Sequence, residues 1–141
     1  MTTYLDATDA NAIALFQRGI QGEIVMLNLL KFRAQADYSQ NPDLAPSAPI
    51  SGKDAYDKYI VHTLPFLEAT GGSLLYLGEG GNYFVGPEDE GWDMAMLVQQ
   101  ISLDEFIAFA TNEEYMKGVG HRTAALEDSR ILPLATIPTP A

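Results

Sequence analysis

Two histidines, His62 and His121, are the only side chains of this 141-residue sequence whose ordinary titration falls near neutral pH. His121 is followed at once by Arg122, and Glu127, Asp128 and Arg130 lie close behind it. A histidine in such a run can take or give a proton at neutral pH, and each arginine can hold a ligand carboxylate through two parallel N–H donors. Asn28 interrupts an otherwise apolar stretch, Glu23 to Phe32, and a buried amide must find a hydrogen-bond partner in a core, an interface or a ligand. Trp92 and Tyr76 could wall a flat ligand. The candidate site is therefore His121 and Asn28 for chemistry, with Trp92, Arg122, Tyr76 and Arg130 for substrate contact. Each also has a plain structural role: core packing for Trp92 and the tyrosines, local ion pairs for the arginines, a capping position for His121. His62, on a helix among tyrosines, is expected to be structural.

Other chemistries are excluded or disfavoured by what the chain lacks. Without cysteine there is no disulfide, iron–sulfur cluster or thiol nucleophile. Two histidines make a transition-metal cluster within one chain improbable, so no metal is expected. Neither histidine has the context of a haem ligand, and no cofactor is expected. The glycines at 78, 80 and 81 are not followed by a helix and do not make a phosphate loop. Nineteen acidic against eight basic residues give a net charge of -11, which repels nucleic acid and anionic membranes. No signal peptide and no membrane span is visible, so the expected location is the cytoplasm.

The elements that must position these residues follow from periodicity and punctuation. Asp6 or Thr8 caps a first helix with Ile13, Phe16 and Ile20 on one face, closed by Gly22. Glu23 to Phe32 reads as a strand buried on both faces. Residues 34–50 form a proline-containing loop longer than usual. Ser51 caps a second helix with Tyr56, Tyr59, Ile60, Thr63, Leu64 and Leu67 along its buried stripe. Pro65 should kink that helix, and Gly71-Gly72 should stop it. Strands are expected over 73–78 and 92–99, a turn over 79–82, a helix capped by Ser102 and a further turn or helix from Asn112. A helical stretch at 121–126 and a strand at 129–134 complete the chain, with Pro133 ending regular structure. The whole is one domain over 1–141, with a core at about 10–134 and a loose tail at 135–141.

After the first helix the order is strand–helix–strand–strand–helix–strand, which predicts an α+β, ferredoxin-like βαββαβ fold with an antiparallel four-stranded sheet. An apolar second face on that sheet predicts a homodimer. The segments GEIVMLNLLKFR (22–33), Pro65 with Gly71-Gly72, Gly91-Trp92-Asp93 and HRTAALEDSRIL (121–132), in that order, resemble an uncharacterised branch of the dimeric α+β barrel superfamily. The resemblance implies two sheets closing into a barrel-like core. It carries no established reaction, since the superfamily spans cofactor-free monooxygenases, muconolactone-type isomerases and haem enzymes. Two functions follow as expectations. One is a cofactor-free enzyme performing proton transfer, isomerisation or oxygenation on a small organic substrate. The other is a non-catalytic module that binds a small ligand or a protein.

Overall fold

The computed structural model describes residues 2–141. Its elements are α1 (Asp9–Gln17), β1 (Ile24–Phe32), α2 (Gly52–Ala69), β2 (Ser73–Asn82), β3 (Gly91–Gln100), α3 (Leu103–Ala110), α4 (Glu113–Met116), α5 (Val119–Ala125) and β4 (Leu126–Ala135). The strands form one antiparallel sheet in the order β2-β3-β1-β4. That order and the βαββαβ succession make the ferredoxin-like plan. No helix among the described residues is long and apolar enough to cross a membrane.

Local chemistry sets the helix starts. Thr8, Ser51, Ser102 and Asn112 each accept a backbone N–H from three residues on, satisfying a donor that the first turn leaves without a partner. The end of α2 is set by Gly71, whose φ of +84° a glycine adopts without a Cβ clash. The helix continues through Pro65 to Ala69.

One face of the sheet holds the core. Along β1, Ile24, Met26, Asn28 and Leu30 are buried beneath the helices, and their neighbours Met94, Met96 and Gln100 on β3 are buried with them. Strict alternation sends Val25, Leu27 and Leu29 to the opposite face, where they are only half covered. Tyr76, Leu97, Leu27 and Leu132 stand in register there, an apolar row across all four strands.

Four details differ from expectation. β2 runs on to Asn82, so the predicted turn over 79–82 is strand: Gly80 lies so near the Trp92 carbonyl that a Cβ would collide with it. Glycine here marks a close backbone approach, not a turn. Pro133 lies inside β4 and does not end it, because β4 is an edge strand and a missing N–H on the outer side costs no ladder bond. β4 also begins at Leu126, three residues early. Finally, α1 ends at Gln17, with Gly19 (φ +59°) turning the chain before Gly22, and it buries none of its residues: Ile13 and Phe16 stay exposed. Its C-terminal Arg18 donates to the Pro133 carbonyl at 2.7 Å, tying the helix end to the outer strand.

Candidate functional site

A cavity of about 510 Å³ lies between the helix-facing side of the sheet and helices α2 to α5. That is within the usual range for small-molecule sites, ~300–1,000 Å³. Its floor is Met26, Asn28, Met96, Val98 and Gln100, and α2 contributes Tyr56, Tyr59, Ile60 and Thr63. Residues 5–7 and Arg122 close the end near β4.

The polar groups in this apolar shell are few. Arg122 donates to the Leu5 carbonyl at 2.6 Å and to Ser129 Oγ at 3.3 Å, both neutral acceptors. Asn28, buried on β1, donates from Nδ2 to the Met26 carbonyl of its own strand at 3.1 Å. The hydroxyls of Tyr59 and Tyr115 lie 2.6 Å apart. Thr63 Oγ1 and Gln100 Oε1 are buried without a hydrogen-bond partner, and both residues line the cavity. Burial drives the Tyr56 and Tyr115 hydroxyls well above the ordinary phenol range, so both keep their protons at neutral pH.

Of the six residues singled out from the sequence, the cavity brings together Asn28 and Arg122. The other four stand elsewhere. Tyr76 is in the exposed row on the opposite face of the sheet. Trp92 donates from Nε1 to the Tyr83 hydroxyl at 2.7 Å, and Tyr83 donates on to Glu90 at 2.6 Å, bracing the β2–β3 turn. Arg130 pairs with Asp128 at 2.6 Å, its guanidinium 5.0 Å from the Tyr4 ring centre and 5.1 Å from that of Trp92. Asp128 also accepts the Tyr4 and Ser129 amides. Burial opposes its charge, but these donors and Arg130 outweigh burial and hold the carboxyl below its ordinary value.

His121 meets the 34–50 loop. Its Nδ1 lies 2.8 Å from the Tyr38 hydroxyl, whose pKa burial pushes up, and the two share one hydrogen bond. The loop is packed, not free: Ala36 and Asp37 donate to the carbonyls of Ile50 and Ala124, and Asn41 reaches the cavity wall. His62 sits 3.1 Å and 3.0 Å from the Glu114 and Tyr115 carbonyls through Nε2, so that nitrogen carries the proton and clamps α4 to α2.

Burial, aided by the nearby charges of Lys58 and His62, lowers the His121 pKa below its ordinary 6.5. The unfolded chain then takes up this proton first as pH falls. The stability tied to neutral His121 is complete above about pH 6.5 and is lost as pH drops from there through the lowered folded value. Thermal unfolding between pH 7.5 and 5 should show a falling midpoint in the natural protein and a flatter profile in His121→Gln. An equal slope in both would remove His121 from the account.

Gln100 is the residue that sequence reasoning missed. It continues the buried alternation Met94, Met96, Val98, and a polar side chain on that apolar face was a readable signal. Tyr115 gave none, since its four-residue helix has too little periodicity to reveal a face.

No protein-family model matches the chain, and no curated protein does. Among solved structures it is similar to the methylated RPA0582 protein, at 31% identity and a TM-score of 0.83, covering 98% of both chains. It is similar to RPA0582 from Rhodopseudomonas palustris, a protein of unknown function, at 30% identity and a TM-score of 0.83, covering 98% of this chain and 100% of that one. A more distant likeness, at 16% identity and a TM-score of 0.48, is to a dimeric protein of unknown function with a ferredoxin-like fold from Bacteroides fragilis NCTC 9343, covering 83% of this chain and 99% of that one.

Proposed function

We propose a function for this chain, which belongs to the family of the Rhodopseudomonas palustris RPA0582 protein: it binds a small, partly apolar organic molecule between its sheet and its helices. One observation carries the reading. A cavity of about 510 Å³ is lined by Thr63 and Gln100, whose Oγ1 and Oε1 are buried without hydrogen-bond partners. A buried polar atom without a hydrogen bond costs about 1–3 kcal/mol, a cost that a ligand filling the space removes.

Binding without catalysis fits the lining better than catalysis does. Arg122 offers only N–H donors, Tyr56 and Tyr115 stay protonated, and His121 is engaged with Tyr38 outside the cavity. The catalytic alternative, proton transfer by His121 with Asn28 as polar anchor, makes a different prediction. Titration calorimetry with aromatic acids, lactones and medium-chain acids and alcohols should find a compound that binds once per chain. Val98→Phe, which fills the cavity without adding charge, should weaken it by about tenfold or more, since displaced ligand volume is lost contact. His121→Ala should leave it unchanged. Binding that survives Val98→Phe would refute the cavity as the site, and binding lost in His121→Ala would favour the catalytic reading.

We also propose that the chain is a homodimer through the outer face of its sheet. The row Tyr76, Leu97, Leu27 and Leu132 is apolar across the whole width of the sheet, with Tyr76 and Leu132 more than half exposed. A two-fold partner presenting the same row covers it. Leu97→Glu sets a charge at the centre and should give a monomer in sedimentation velocity at micromolar concentration. A natural protein that is already monomeric there would end this proposal.

A further inference from the structure

We propose that the ligand is an elongated carboxylic acid, its carboxylate held by Arg122 and a hydroxyl at its far end held by Thr63 and Gln100. The proposal rests on the cavity reading and adds the chemistry and direction of the ligand.

The acid end follows from an uncompensated charge. Ion pairs among the described residues are Lys53–Asp57, Lys117–Glu114 and Arg130–Asp128, and none involves Arg122. Its guanidinium is partly buried beside an apolar cavity and bonded to a carbonyl and a hydroxyl, which share its protons but do not balance its charge. Asp6 lines the same cavity without pairing with it. A ligand carboxylate supplies the missing counter-ion, with the forked geometry that guanidinium favours.

The hydroxyl end follows from the two atoms without partners. Gln100 is almost completely buried and its Oε1 can only accept, while Thr63 Oγ1 can donate or accept. A hydroxyl is both donor and acceptor, so it suits the Thr63 hydroxyl and the Gln100 amide in either orientation. A bare methyl end would leave both atoms as they are.

The two ends lie apart along the fold. Ser129, which Arg122 holds, is opposite Leu30 on β1, and Gln100 is opposite Ile24. Six strand residues separate those levels, so the two ends do not coincide along the sheet. On α2, Tyr56, whose hydroxyl feels the Arg122 charge, and Thr63 are about 10 Å apart along the axis. Between them the lining is Met26, Met96, Ile60 and Leu64, which suits a hydrocarbon body.

Three compounds test this by calorimetry: ω-hydroxydecanoate, decanoate and decanol. Decanoate should bind about tenfold tighter than decanol, and the terminal hydroxyl should add roughly a further tenfold or more. Arg122→Met should abolish the preference for acid over alcohol while leaving decanol binding near its natural value. Arg122→Lys, which keeps the charge but loses the fork, should retain part of that preference and serves if the methionine variant unfolds. Thr63→Val should abolish the gain from the hydroxyl and leave decanoate unaffected. Decanol binding as tightly as decanoate, or Arg122→Met weakening both alike, would overturn the acid end. Hydroxydecanoate no better than decanoate would overturn the hydroxyl end. If all three fail to bind while another compound binds and is blocked by Val98→Phe, this proposal falls and the cavity reading stands. If Val98→Phe blocks nothing, the cavity reading falls too.

Discussion

Gly52→Ala should destabilise the fold by about 3 kcal/mol, near the top of the range for overpacking a filled core, and lower its melting temperature by roughly 10 °C. Gly52 is the first residue of α2, and an added Cβ there would lie 2.2 Å from the Arg33 carbonyl oxygen, 2.7 Å from that of Ala125 and 2.8 Å from the Arg33 nitrogen. All three are backbone atoms, so no side-chain rotation relieves the clash. The same spot joins three elements: Gly52 donates to the Arg33 carbonyl at 3.1 Å, and Arg33 donates to Ala125 at 2.8 Å. The start of α2, the exit of β1 and the joint between α5 and β4 are thus held by one close approach. Gly81→Ala is the control, because nothing lies within 4 Å of a Cβ at that glycine. Urea unfolding of the two variants should separate them clearly. Equal stabilities would mean that the junction yields at little cost, and that α2 is less firmly placed than the geometry implies.

Much of this architecture is written locally. The Ser51 and Ser102 caps, the stripe along α2 and the alternation of β3 are short-range signals that survive folding unchanged. Gly80 and Pro133 misled for one reason. Each residue type has two uses in a sheet, and only the neighbouring strand decides between them. The site divides in the same way. Asn28 stands out because it breaks an apolar run, and Arg122 because cations are scarce in the acidic half. The pairing of His121 with Tyr38 joins residues 83 apart through a loop with no period, so nothing local announces it. The cavity itself is a property of packing: its walls come from the sheet, α2 to α5 and residues 5–7, and no single segment encodes it. Its polar atoms without partners are likewise visible only once every other group has found its own.

Thr63→Val and Gln100→Leu should each make the empty protein more stable and the occupied protein less so. Valine keeps the shape of Thr63 and replaces a buried hydroxyl without a partner, and leucine replaces a buried amide whose oxygen has none. Removing such a group recovers part of its ~1–3 kcal/mol desolvation cost, so a gain of about 1 kcal/mol, or roughly 2–4 °C, is expected for each. With ω-hydroxydecanoate present at about one hundred times its dissociation constant, the natural protein gains about 2.7 kcal/mol, because the ligand binds only the folded state. Each variant binds more weakly and gains less, so the order of melting temperatures should reverse between the empty and the ligand-saturated samples. A core that tolerates two such atoms solely for packing would show the first effect without the reversal. Variants less stable than the natural protein with no compound added would mean that Thr63 and Gln100 already have partners, and the strongest support for a ligand in this cavity would be gone.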